Sequence, residues 1–228
     1  MIKKLLERLR GAPPVTPAAP ATPTASDDTP PVRWLTKGDP GNPFNVDGFD
    51  CFGFVSSMLS TTKDPAIATS FSSLRSDEGL SVRGTLPDDP IEIPCALSYE
   101  FDGGTRDGPL FKSQAMEEKW DLYLYDQRLY FCRSWTGALT FVAEIKPEEK
   151  SLRIPRLWAS GPEDTALAIQ QVDYLIKSHL YQQRVPHPLP PELPREPTPV
   201  ALYSFSQYGR LCCFGSFEST LGDDLLKR

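Results

Sequence analysis

Apolar and polar positions alternate most regularly between Lys119 and Trp158. In Lys-Trp-Asp-Leu-Tyr-Leu-Tyr (119–125), Trp120, Leu122 and Leu124 fall on one face of a strand, and Tyr123 and Tyr125 on the other. Asp126-Gln127 makes a turn, and 128–133 and 138–145 continue the pattern. Gly137 supplies the positive φ that a tight turn often needs, and 151–158 adds a fourth strand. The pattern predicts an antiparallel meander whose first two strands place Trp120 opposite Arg133 and Lys119 opposite Ser134.

The helical period appears elsewhere. Ser160-Gly-Pro-Glu163 fits a capping box with an early proline. Ala166, Ile169, Val172, Ile176 and Leu180 then form one stripe ending by about Gln183. This predicts a long C-terminal amphipathic helix packed on the sheet. Asp64-Pro65 starts a helix through about Arg75, and 200–208 forms another, capped by Gly209. The apolar run 49–59 reads as one strand with an irregularity at Gly53, 92–101 as a further strand, and 211–217 as a closing strand. Strands with helices set between and after them give an α+β fold. Ile2, Leu5, Leu6 and Leu9 make one stripe of a helix over 1–10. The expected organisation is that helix, a disordered Pro/Ala/Thr-rich linker over 11–31, and one α+β domain over 32–228 with an internal Pro-rich stretch at 184–199.

Composition sharpens this picture. Fourteen of the 24 prolines lie in 11–31 and 186–199, so the rest of the chain has an ordinary proline density. Thirty acids against 24 bases give a net charge of −6. Because the first 33 residues are net basic, the remainder is more acidic still. Such a body lacks the clustered Lys and Arg that displace counterions from phosphate backbones, so nucleic acid is not the expected partner. Five cysteines, two of them adjacent and none in a Cys-x-x-Cys pair, read as reduced thiols in a cytoplasmic protein. With only two histidines, neither a metal site nor a cofactor is implied. No apolar run approaches the ~18 residues of a membrane span. Charged residues also interrupt the N-terminal stripe, unlike the apolar core of a signal peptide.

Candidate chemistry concentrates at one end of the predicted meander. Lys119, Trp120, Arg133, Ser134, Trp135 and Thr136 gather there, beside Glu117 and Glu118. Two cations, two hydroxyl donors and an indole suit an anionic, ring-bearing ligand, with the glutamates available as acid or base. The same residues also suit a structural corner, in which Arg133 stacks on Trp120 or pairs with Glu117 and the hydroxyls bond a turn's backbone. Elsewhere, Cys51 follows Asp50 but has no histidine near it in sequence to act as its base. His179 reads as a helix-surface or boundary residue, and His187, among prolines, as solvated.

Met116-Glu-Glu-Lys-Trp120 followed by Tyr130-Phe-Cys-Arg-Ser-Trp-Thr-Gly137 resembles a segment of bacterial proteins of unknown function, firmly over 107–145 and more loosely over 34–182. Related segments accompany ADP-ribose-processing enzymes; the resemblance implies no catalytic residues. The expected function is that of a non-enzymatic binding or interaction protein. It would reach another protein through the N-terminal helix or the Pro-rich segments, with peripheral membrane contact of residues 1–10 left open. The alternative is a domain that binds or hydrolyses a small molecule or nucleotide, an ADP-ribose-like anion, through the Lys119–Thr136 cluster.

Overall fold

The computed structural model describes residues 31–101, 104, 106–161, 164–222 and 224–227; the helix expected at 1–10 and nearly all of the 11–31 linker lie outside them. The described elements are β1 (Arg33–Leu35), β2 (Gly48–Asp50), α1 (Phe52–Ser57), α2 (Pro65–Leu74), β3 (Pro90–Glu100), β4 (Gly108–Phe111), β5 (Trp120–Tyr125), β6 (Arg128–Arg133), β7 (Leu139–Pro147), β8 (Ser151–Ser160), α3 (Thr165–Leu175), β9 (His187–Pro188), α4 (Pro197–Tyr208) and β10 (Phe214–Ser216).

The alternation between 119 and 158 builds β5 to β8, the centre of a six-stranded antiparallel sheet in the order β3-β8-β7-β6-β5-β4. The predicted register is present: Trp120 faces Arg133, and Ser134 N donates to Lys119 O at 3.1 Å. Asp126 and Gln127 both take positive φ, 50° and 57°, the conformation that lets a two-residue turn match the twist of its strands. Both edge strands carry prolines and uneven ladders: Pro90 and Pro94 in β3, where the register shifts between Pro94 and Leu97, and Pro109 in β4, where it shifts before Phe111. Pro155, inside the central strand β8, sits where the ladders to β3 and β7 both slip, the place where a residue without an N–H is tolerated.

The two faces of the sheet are covered differently. Trp120, Leu122, Leu124, Leu129 and Phe131 join the main core, which also takes Val172, Leu175 and Ile176 from the α3 region and Val200 and Phe205 from α4. Tyr123, Tyr125, Tyr130, Cys132 and Val142 form a second cluster on the other face with Val82. The segment around 78–84 closes over them. Tyr125 OH donates to Glu78 O (2.6 Å), and Gly84 N donates to Tyr130 OH (2.9 Å).

Helices depart from the sequence reading in three places. Phe49–Leu59 is not one strand: β2 stops at Asp50, whose carboxylate accepts from Phe52 N at 3.1 Å and starts α1. The capping residue of α3 is Asp164, which accepts from Ala166 N and Leu167 N, while Ser160 ends β8, paired with Pro90. The long helix through Gln183 is instead eleven α-helical residues followed by a π turn over Ile176–Leu180. Ser178 Oγ bonds back to Tyr174 O at 2.6 Å there, and Tyr181 N reaches Ile176 O. Ala166 of the expected stripe is exposed, whereas Asp173, Tyr174 and His179 are buried. α2 does begin on Asp64 as predicted (Ala66 N to Asp64 Oδ1, 2.8 Å).

The Pro-rich stretch turns inward. Residues 185–190 are buried, and β9 pairs in parallel with β10 at the end of a small sheet ordered β1-β2-β10-β9. His187, expected in solvent, is fully buried beside the Tyr174 and Tyr208 rings. Among the described residues no helix is long and apolar enough to cross a membrane.

Candidate functional site

The residues singled out in the sequence do converge at one end of the β5–β6 pair, where they grip the C-terminal end of α4. Arg133 donates to Ser206 O (2.7 Å) and Gln207 O (2.9 Å), and its guanidinium lies 4.7 Å from the Trp120 ring. The last carbonyls of a helix lack partners within the helix and carry partial negative charge, so a cation is favoured there. Trp120, fully buried and stacked on Phe141, donates its indole N–H to the same Gln207 O at 2.7 Å. Gly209, just past the helix, has φ 69° and ψ −151°, a combination essentially reserved for glycine. A Cβ there would lie 1.9 Å from Glu117 O.

The remaining members are tied to the chain in the same way. Ser134 Oγ donates to Glu118 O (2.6 Å), and Trp135 Nε1 to Met116 O (2.8 Å). Glu118 Oε1 accepts from Arg210 (2.5 Å), and Glu117 Oε1 from Ser60 N (2.8 Å). Thr136 is exposed and its hydroxyl takes Ala138 N within its own turn. Lys119 is 6% exposed. Its Nζ donates to Ser60 Oγ and Met116 O, both at 2.7 Å, and lies over the rings of Trp135 and Phe205. Burial, helped by the Arg133 charge and opposed by Glu117, lowers its pKa to about 7. A lysine tuned to that value has the reactivity of a base or nucleophile, but this one lines none of the clefts described below.

Other reactive groups are held in unreactive forms. Cys51 Sγ lies 3.8 Å from Ser204 Oγ, which lies 2.7 Å from His187 Nε2. This thiol–hydroxyl–imidazole chain is fully buried. Burial pushes the Cys51 thiol up to about 12 and His187 down to about 3, so the thiolate that nucleophilic chemistry needs does not form near neutrality. Among the described residues no group of His, Cys, Asp and Glu is arranged to hold a metal ion.

Among the described residues, an opening of about 490 Å³ lies beside the start of α3, between Phe141, Ala159 and Leu167, and two further openings border the π turn. The larger, about 900 Å³, lies between the sheet and the π turn. Leu124, Leu129, Ile145, Leu152 and Ile176 form its aliphatic wall, Leu110 and Leu180 lie at its mouth, and Glu100, Arg106, Glu149 and Lys150 add charges of both signs. The smaller, about 370 Å³, lies at the far end of the π turn and is lined by His179, Arg184 and Arg210. Sequence reasoning found neither. Leu124 could be placed on a face, but nothing local signals that the helix above it stops short.

Compared with family models, curated proteins and solved structures, the chain matches none of them. The resemblance over 107–145 therefore brings no activity to any of these sites, and their chemistry has to be read from the geometry alone.

Proposed function

We propose that the protein is a non-enzymatic, cytoplasmic binding protein, and that the aliphatic cavity beside the π turn receives an apolar anchor from a partner protein. The observation that carries this reading is the wall of Leu124, Leu129, Ile145, Leu152 and Ile176 under a rim with charges of both signs. A desolvated pocket that takes one large apolar side chain, ringed by polar groups, is where the binding energy of protein interfaces concentrates. Five free cysteines support a reducing compartment. The Pro-rich residues 185–190 are engaged in the chain's own core. A second contact would therefore fall to residues 1–10, whose expected helix lies outside the described residues.

The alternative, an ADP-ribose-like anion at the Lys119–Thr136 cluster, asks Arg133 to release Ser206 and Gln207 and Lys119 to release Ser60 and Met116. We read that cluster as a brace for α4. The test of the cavity is a photoreactive residue in place of Leu110, at its mouth, compared with one at Leu59, which is 77% exposed elsewhere. Position 110 should crosslink one defined partner in cells, and Leu110→Glu should prevent that partner from co-purifying. Equal or absent capture at both positions refutes the reading.

A further inference from the structure

The smaller cleft is assembled from four separated stretches of chain: Phe52 of α1, Phe111 of β4, the π turn with residues 182–184, and Arg210 to Cys213. Gln182 closes the π turn with a positive φ of 54°, and Gln183 N caps it on Lys177 O at 2.9 Å. The loop thereby turns back and brings Arg184 over the Phe52 ring, 4.7 Å from its centre. The Arg184 guanidinium makes no hydrogen bond among the described residues, so its donor fork is available. Arg210 binds Glu118 through one nitrogen. Among the described residues no carboxylate lines the cleft. Asp50, close enough to act on Cys213, is engaged with Arg33 and Phe52 N. In a chain of net charge −6, this is a locally cationic hollow.

Its buried polar group is His179, 3% exposed. Ser178 has a single hydroxyl hydrogen, and that hydrogen goes to Tyr174 O (2.6 Å). The 2.8 Å contact between Ser178 Oγ and His179 Nδ1 must therefore have Nδ1–H as the donor. Nε2 is left as the acceptor, and it is buried with no hydrogen-bond partner among the described residues. Burial lowers the imidazole to about 3, so it does not protonate to relieve this. The hollow thus offers guanidinium donors for an anion, and His179 in its wall holds an acceptor nitrogen that no O–H or N–H of the described residues satisfies. Sulfate and ionised carboxylates have no hydrogen to give. Hydrogen phosphate, or a phosphate monoester carrying one proton, has both an anionic edge for a guanidinium fork and an O–H. Phe52 and Phe111 supply the surface against which an ester's organic part would lie.

We propose that this cleft is a second ligand site, distinct from the aliphatic cavity, that binds hydrogen phosphate or a small phosphate monoester through Arg184 and His179.

The test titrates the full-length protein with inorganic phosphate, phenyl phosphate and sulfate at constant ionic strength by calorimetry. The imidazole nitrogens are followed by NMR in parallel. Phosphate and phenyl phosphate should bind at least tenfold tighter than sulfate and move the His179 Nε2 resonance. Arg184→Gln should weaken them by at least tenfold, while Arg153→Gln, on an exposed ion pair with Glu148, leaves them unchanged. Since Arg184 is exposed, loss of fold is not expected to obscure the result, and a thermal melt without ligand checks it. Equal binding of sulfate and phosphate, an unmoved Nε2, or no phosphate binding at millimolar concentration overturns the proposal.

Discussion

Replacing Lys119 by Met removes a buried amine while keeping the reach of the side chain, and its effect on stability should depend on pH in a defined direction. In the unfolded chain the amine has its ordinary pKa of 10.5, and in the folded protein burial and then the Arg133 charge bring it to about 7. Between those values the unfolded chain holds a proton that the folded protein has released, so stability rises with pH across the window. Below about 7 the full penalty of burying the charge applies. The slope reaches about 1.4 kcal/mol per pH unit, and integrating from pH 6 to 8.5 gives the wild type a gain of roughly 2 kcal/mol that Lys119→Met lacks. Opposing this are two hydrogen bonds at 2.7 Å and two aromatic faces around Nζ, all of which favour the ammonium. Urea titrations of both proteins at pH 6, 7, 8 and 8.5 decide which side wins. The shared thiols and histidines cancel in the difference. If that difference stays flat to within ~0.5 kcal/mol, a fraction of the expected linkage, the contacts hold the proton and the reasoning from burial is refuted.

Three substitutions, at two positions, test the brace on α4. Arg133→Ala removes two charge-assisted hydrogen bonds to helix-terminal carbonyls and the stack on Trp120, and should destabilise by about 2–4 kcal/mol. Arg133→Lys should recover less than half of that, because a point charge cannot serve two carbonyls with a planar fork; an alanine variant as stable as wild type in urea would dismiss the brace. Gly209→Ala sets a methyl group 1.9 Å from Glu117 O at a glycine-only backbone angle. A loss of about 3 kcal/mol or more is expected in thermal melts, and an unchanged melting temperature would show that the turn has another conformation open to it.

The meander is legible because its period and its turn residues agree, and the register follows from a turn at Asp126-Gln127. α1 was not legible: an apolar run of this length has the same composition in a strand or a buried helix, and Asp50 decides the matter with one carboxylate. The start of α3 was misplaced because Ser160 and Asp164 are both capping residues. Only the distant pairing of Pro90 with Ser160 keeps the strand going past the first of them. His187 was misplaced for a similar reason, since its burial depends on β10, far along the chain. At the candidate site, local alternation was enough to bring Lys119, Trp120, Arg133 and Ser134 together. What they hold could not be read, because Ser60, Ser206 and Gln207 arrive from elsewhere. The π turn left no sequence trace, and both clefts are bounded by it.

The prolines at the borders of the main sheet bear on what the molecule can join. A strand with a free side is a template for another chain, and pairing along it needs a row of backbone donors in even register. β3 lacks the donor at Pro90 and Pro94 and breaks step between Pro94 and Leu97, and β4 lacks it at Pro109 and breaks step beside it. A visiting strand would find neither border regular for more than a few residues. The borders of the main sheet are therefore poor templates for an added strand, whether from a second copy of the molecule or from another chain.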